Sequence, residues 1–296
     1  MRRFLIGQHG RFNEEKDRRD YRAWFYGVEA CLLREEEDVR KLAQAAEERG
    51  FRIGVHFPLR GEPGMLRDAL FLSPDARVRC EAWKYIDCEI AGMRSLRPEY
   101  VLFHYPKPVL VAEEVDAEKW RFADNREFLS QTSISPEEFR SLSDELFARL
   151  TERSTREGWI PVLEFDLIPR VIYETDLLEE LLDKHRRIRL CLDTARLYLQ
   201  ERTDPGFTAA DLIQKFARYA HLIHLSNLHD GDPPIRHVPV MPDQQTEEGW
   251  APIAEYLTLI RKENPEVRVL FEHRSEEISD EELDNCYAWA EELLNG

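Results

Sequence analysis

The chain has no glycine-rich phosphate loop, no GxSxG elbow and no CxxC pair. The missing GxGxxG and P-loop patterns weigh against an open, doubly wound nucleotide-binding sheet. Without the elbow no Ser/His/Asp triad is readable. No apolar run approaches the roughly 18 residues that span a bilayer, so no membrane partner is expected. No Pro/Gly/Ser tract or repeat interrupts the sequence, and a single domain over residues 1–296 is expected. Cysteine is sparse and odd in number, at five, which argues against a disulfide framework and for a reducing, cytoplasmic setting. The N-terminal MRRFLIGQHG lacks an apolar h-region, so no signal peptide is expected. Positive charge is in deficit: 41 Lys and Arg stand against 58 Asp and Glu, for a net charge of −17. That balance opposes a broad face that grips phosphate backbones, so nucleic acid is not an expected partner.

What the chain does have is a strict alternation of strand-like and helix-like stretches. Apolar runs near 3–7, 24–32, 51–57, 100–105, 160–166, 188–193, 221–227 and 267–273 read as eight strands. Amphipathic stretches separate them. One covers 35–50 and stops at Gly50, another opens at Ser73-Pro74-Asp75 with Ser73 as cap, and a third opens at Ser135-Pro136. Eight strands alternating with helices predict an α/β fold, the (β/α)8 TIM barrel. Residues 106–134 show no clear period and read as a long loop.

Six of these runs close on a metal-ligand residue: His56, His104, Glu164, Asp193, His224 and Glu272. In a parallel barrel the strand C-termini converge on one face, so six such ends would meet in one pocket. Glu164, Asp193, His224 and Glu272 come from the last four strands and bring three carboxylates and one imidazole. Carboxylates gathered that closely repel unless a cation neutralises them. Such a set suits Mn²⁺, Mg²⁺ or Co²⁺, and added imidazoles move the preference toward Zn²⁺. His56 and His104 supply those imidazoles and complete a second site that shares Glu164.

In order and spacing these segments resemble the xylose isomerase-like TIM barrels, the superfamily of sugar isomerases and epimerases and of apurinic endonucleases. The resemblance rests on SPDARVRCEAWKYIDCEIAGMRSLRPEYVLFHYP, VLEFD, LCLDTARLYL, HLIHLSN, RHVPV and VLFEHR, and covers about residues 50–275. It implies that Glu164, Asp193, His224 and Glu272 bind metal, Mn or Zn first. It also implies that Glu164 and Glu272 exchange a proton with the carbon beside a substrate carbonyl, through an enediolate. The expected function is a metal-dependent isomerase or epimerase of a sugar or related polyol. The alternatives are a metal-dependent endonuclease of the apurinic-site or UV-damage type and a non-catalytic ligand-binding barrel.

The sequence departs from the family in two places. The Asp-x-x-His turn reads Asp193-Thr194-Ala195-Arg196, and the endonuclease Asp-Arg-His reads Ile235-Arg236-His237. Two protein ligands of a third metal are therefore missing, so at most two ions are expected. Arg196 either clamps a substrate anion or pairs with a nearby acid such as Asp193. His56, His104, Arg196 and His237 are the candidate substrate contacts. Lys107, Arg121 and Arg126 are a candidate anion site within an otherwise acidic rim. His9, Glu29, His221 and His273 read as structural or solvated, and His185 and His229 as solvent-facing. Trp120, Phe122 and Phe128 form either a lid or a satellite core.

Overall fold

The fold is seen in a computed structural model, which describes residues 2–61, 65–116, 119–120 and 122–296. Eight parallel strands form a closed barrel: β1 (Phe4–His9), β2 (Gly27–Cys31), β3 (Arg52–His56), β4 (Tyr100–Tyr105), β5 (Ile160–Phe165), β6 (Arg189–Asp193), β7 (Ala220–Leu225) and β8 (Arg268–Phe271). Their order around the barrel is sequential, with β1 closing on β8. The expected (β/α)8 TIM barrel is the fold observed. Strands β2, β4 and β7 are buried at every residue. That is why they read as continuous apolar runs and not as polar–apolar alternation.

The chain falls into two compact units, one of residues 1–6, 14–26 and 190–296 and the other of residues 7–13 and 27–189. In the first, Phe4 pairs with Val269, Leu270 with His224, and Asp193 with His224. In the second, Glu29 pairs with Gly54, Gly54 with Tyr100, and His104 with Glu164. Gly54 meets a packing demand here: a Cβ at this position would overlap the Tyr100 ring. The Tyr100 hydroxyl in turn donates to Glu29 at 2.8 Å, which gives Glu29 the structural role expected of it.

Helix ends follow the local signals. The helix Glu36–Arg49 stops at Gly50, in the left-handed region at φ 69°. Ser135 caps Pro136–Glu157 with Pro in its first turn, and Ser279 with Glu282 makes a capping box on Asp280–Asn295. One expected cap shifts. The helix near residue 75 spans Ala76–Met93, and Asp75, not Ser73, accepts from the Arg77 amide at 2.8 Å. Ser73 instead accepts from the Asp75 amide, making the turn before the cap. The stretch 106–134 also carries more order than its sequence suggested. Val109–Val111 and Phe128–Ser130 pair as a small parallel sheet, and Phe122 packs on Phe128 with ring centroids 4.9 Å apart. Trp120 is buried. No helix among the described residues is long and apolar enough to cross a membrane.

Candidate metal and acid–base centre

In the unit that carries β3, β4 and β5, the strand ends bring two imidazoles onto one carboxylate. Glu164 and His104 are register partners on adjacent strands, so their side chains leave the sheet side by side. Nε2 of His104 lies 3.0 Å from Oε2 of Glu164, and Nε2 of His56 lies 3.4 Å from the same oxygen. All three side chains are buried. The two imidazole rings meet edge to face, 4.9 Å apart. His56 is held by its own strand end, with Nδ1 3.1 Å from the Phe57 carbonyl oxygen. Burial pushes the His56 imidazole toward its neutral form. The Arg67 guanidinium, 3.3 Å from His56 Nε2, acts in the same direction, and with burial it outweighs the Glu164 carboxylate.

Behind this triad lies a second layer that sequence reading did not assign. Nδ1 of His104 lies 2.9 Å from Oδ2 of Asp68 and 3.9 Å from Oδ2 of Asp166. The ammonium of Lys107 sits between the two carboxylates, 2.7 Å from Asp68 and 2.6 Å from Asp166. Burial favours the neutral acid at Asp68. The charges of His104 and Lys107, with the His104 hydrogen bond, outweigh it and hold that carboxyl well below its usual range. Burial likewise opposes charge on Lys107, but Asp166 and Asp68 raise its pKa above the ordinary lysine value. The available signals were Asp166, two residues beyond Glu164, and Lys107, three beyond His104. Nothing in the sequence located Asp68, which comes from the connection after β3.

In the other unit, β6 ends on Asp193, His224 is the penultimate residue of β7, and Glu272 directly follows β8. The three offer ligand atoms within 4.8 Å of one another, and Nδ1 of His224 is 3.1 Å from Oε2 of Glu272. Asp193 also caps the helix Thr194–Thr203: its Oδ1 accepts from the amides of Ala195 at 2.8 Å and Arg196 at 3.0 Å. Its Oδ2 meets Arg196 Nε at 3.1 Å. Arg196 thus takes the acid-pairing role foreseen as one of its two options. Thr194 donates from Oγ1 to the Ser226 carbonyl at 2.7 Å and ties the β6 end to the β7 end. His237, at φ 56°, places Nδ1 3.3 Å from the Glu272 carbonyl oxygen, beside the ligand-bearing backbone.

The remaining histidines sort by surroundings. His221 binds Arg268 at the N-terminal end of its strand, and His273 stacks on Tyr287 away from the barrel interior. Burial, reinforced by Lys16 and Arg19, drives the His273 pKa down to about 3. Two expectations of solvent-facing rings give way. His185 bonds Asp144 at 2.6 Å, and His229 accepts from the Gly231 amide and packs on Trp250. His9 is exposed. The expected anion site does not form as written. Lys107 is enclosed by carboxylates, Arg126 pairs with Asp124 at 2.8 Å, and Arg121 lies outside the described residues.

No family model and no curated protein matches the sequence. Solved structures do match the fold. A D-tagatose 3-epimerase-like protein aligns with a TM-score of 0.64 at 14% identity, covering 99% of this chain and 97% of its own. A 3-keto-D-glucoside 4-epimerase from E. coli aligns at 0.61 and 13% identity, covering 99% and 100%. An IolI protein with a bound zinc atom aligns at 0.62 and 12% identity, covering 99% and 98%. At these identities the likeness is one of fold alone.

Proposed function

We propose that this chain is a divalent-metal-dependent isomerase or epimerase acting on a sugar or related polyol. The observation that carries the reading is the set Asp193, His224 and Glu272, whose ligand atoms lie within 4.8 Å of one another at the ends of β6–β8, to which the reading adds Glu164 from the end of β5. The C-terminal ends of such strands are where TIM barrels keep their chemistry. The named activities of the fold neighbours, sugar epimerases among them, support the same reaction class. The neighbour with a bound zinc atom supports a metal.

In this reading Glu164, Asp193, His224 and Glu272 hold one Mn²⁺ or Zn²⁺, with Mg²⁺ or Co²⁺ accepted by the same oxygen-rich set. When bound, the ion polarises the substrate carbonyl and offsets the negative charge that develops on it. Glu164 and Glu272 take and return the proton on the carbon beside that carbonyl, by way of an enediolate. His104 orients the Glu164 carboxylate through the 3.0 Å contact, and Asp68 orients His104 in turn. His237 is the ring assigned to substrate hydroxyls, while His56 and His104, with both nitrogens engaged by Phe57, Arg67, Glu164 and Asp68, hold the Glu164 carboxylate in place. Arg196, paired with Asp193 at 3.1 Å, is assigned to the substrate side of that carboxylate.

A second ion on His56, His104 and Glu164 faces an obstacle in Arg67, whose guanidinium lies 3.3 Å from the ligating nitrogen of His56. We therefore assign one ion. The net charge of −17 supports a small-molecule substrate over nucleic acid.

The test is conversion of a panel of ketoses and keto-polyols by metal-stripped protein and by protein reloaded with Mn²⁺ or Zn²⁺, read by chromatography of the products. The reading expects metal-restored interconversion of at least one pair of isomers. Incision of abasic-site duplex without sugar conversion would replace it with the endonuclease reading. Metal uptake with no turnover of any kind would leave a ligand-binding barrel.

A further inference from the structure

We propose that Lys107 is a resident cation. Its ammonium fills a cage that would otherwise take a divalent metal, and so keeps a second ion out of the unit that carries β3–β5. The cage consists of Asp68, His104 and Asp166, whose ligand atoms lie within 4.8 Å of one another. Within it, Nδ1 of His104 stands 2.9 Å from Oδ2 of Asp68 and 3.9 Å from Oδ2 of Asp166. A tetrahedral zinc with bonds of about 2.1 Å sets its ligand atoms about 3.4 Å apart, between those two separations. Two carboxylates and one imidazole are also a set that zinc accepts.

The ammonium already occupies that place. Lys107 Nζ is 2.7 Å from Asp68 and 2.6 Å from Asp166, so it lies between the two acids. Only 1% of Lys107 is exposed, and lysine is almost never buried to that degree unless it is paired. The Phe122 ring lies 5.7 Å from the ammonium and presents its face to the cation. One lysine offsets one of the two carboxylate charges, whereas a divalent ion would offset both. Taking the ammonium away leaves one buried and one half-buried negative charge and an imidazole nitrogen converging on one point, which is what a zinc site requires.

The inference concerns the Lys107 cage and is independent of the four-ligand centre. Its experiment compares a variant with wild type. Wild type, Lys107→Met and Lys107→Met/Asp68→Asn are stripped of metal, dialysed against excess Zn²⁺, desalted and assayed for zinc per chain. The expected result is one more zinc per chain in Lys107→Met than in wild type, lost again in the double variant. Zn²⁺ should also raise the melting temperature of Lys107→Met more than that of wild type. Equal zinc content in Lys107→Met and wild type overturns the proposal, because an ordinary structural ion pair predicts that outcome. A Lys107→Met protein that stays unfolded in Zn²⁺ overturns it as well, since the cage then fails to accept the ion. Anomalous scattering from wild-type crystals in excess Zn²⁺ supplies a check without any variant. An ion between Asp68 and Asp166 there contradicts the account. A wild-type chain that holds no zinc at all sinks the four-ligand centre and leaves this comparison intact.

Discussion

Nε2 of His104 lies 3.0 Å from Oε2 of Glu164, and the two residues are direct register partners on β4 and β5. The register makes this contact a consequence of strand pairing, because a slip of one residue would turn one of the two side chains to the other face. Asp68 then grips the far nitrogen of the ring at 2.9 Å. The chain Asp68–His104–Glu164 thus fixes the direction of a carboxylate assigned to proton transfer. Removing the second link should cost activity without removing the metal. Asp68→Asn is expected to lower kcat about 10–100-fold, the range seen when supporting partners of site residues are lost. Its zinc or manganese content should equal that of wild type, which distinguishes a positioning role from a ligand role.

Asp193 has two tasks, and substitutions separate them. It caps the helix Thr194–Thr203 and is assigned as a metal ligand. Asparagine is as good a cap as aspartate, whereas alanine costs about 1 kcal/mol at such a position. Asp193→Asn should therefore keep the cap while losing the Arg196 ion pair, so its urea midpoint falls less than that of Asp193→Ala, and it should lose metal affinity by at least about tenfold. Asp193→Ala should lose both. Titration calorimetry with Mn²⁺ and urea unfolding of the metal-free proteins make the comparison.

The buried contacts of Asp68 with His104 and Lys107 give a pH signature. The Asp68 carboxyl is held below its usual value, so the folded state binds its proton less readily than the unfolded state. The resulting stability is present above about pH 4 and is lost as pH falls through the depressed folded value. Wild type should lose more stability than Asp68→Asn between pH 7 and pH 3. At pH 7 the variant should already be less stable by about 3–5 kcal/mol, because Lys107 loses one of its two partners. Urea unfolding at the two pH values reads both effects.

Gly54 tests the packing between β3 and β4. Its Cα hydrogen side is filled by the Tyr100 ring. Gly54→Ala should cost about 1–3 kcal/mol by overpacking. The Tyr100–Glu29 hydrogen bond should be disturbed with it. Thermal unfolding measures the loss, and Gly92→Ala, where a Cβ meets nothing within 4 Å, is the control.

The strands were legible in the sequence because each is a run of apolar residues bounded by polar turns. Six of them also announced their ends with a His, Asp or Glu. The cap at Asp75 was misplaced by two residues because Ser73, Pro74 and Asp75 all suit a helix start, and only the backbone hydrogen bond to Asp75 decides between them. The layer behind His104 was not legible. Asp68 sits 36 residues from its partner in a segment with no periodicity, and no spacing rule links it to His104 or Lys107. The pairing of Val109–Val111 with Phe128–Ser130 was hidden for a similar reason: each strand is only three residues long, too short to show alternation.

The most direct measurement of the central claim is solvent-deuterium exchange into a converted sugar, followed by NMR for metal-loaded wild type, Glu164→Gln and Glu272→Gln. The account predicts label at the carbon beside the carbonyl with wild type, and a fall of at least about 100-fold in the exchange rate with each variant. Wild-type conversion without any deuterium entering, or undiminished exchange in both glutamine variants, would contradict it.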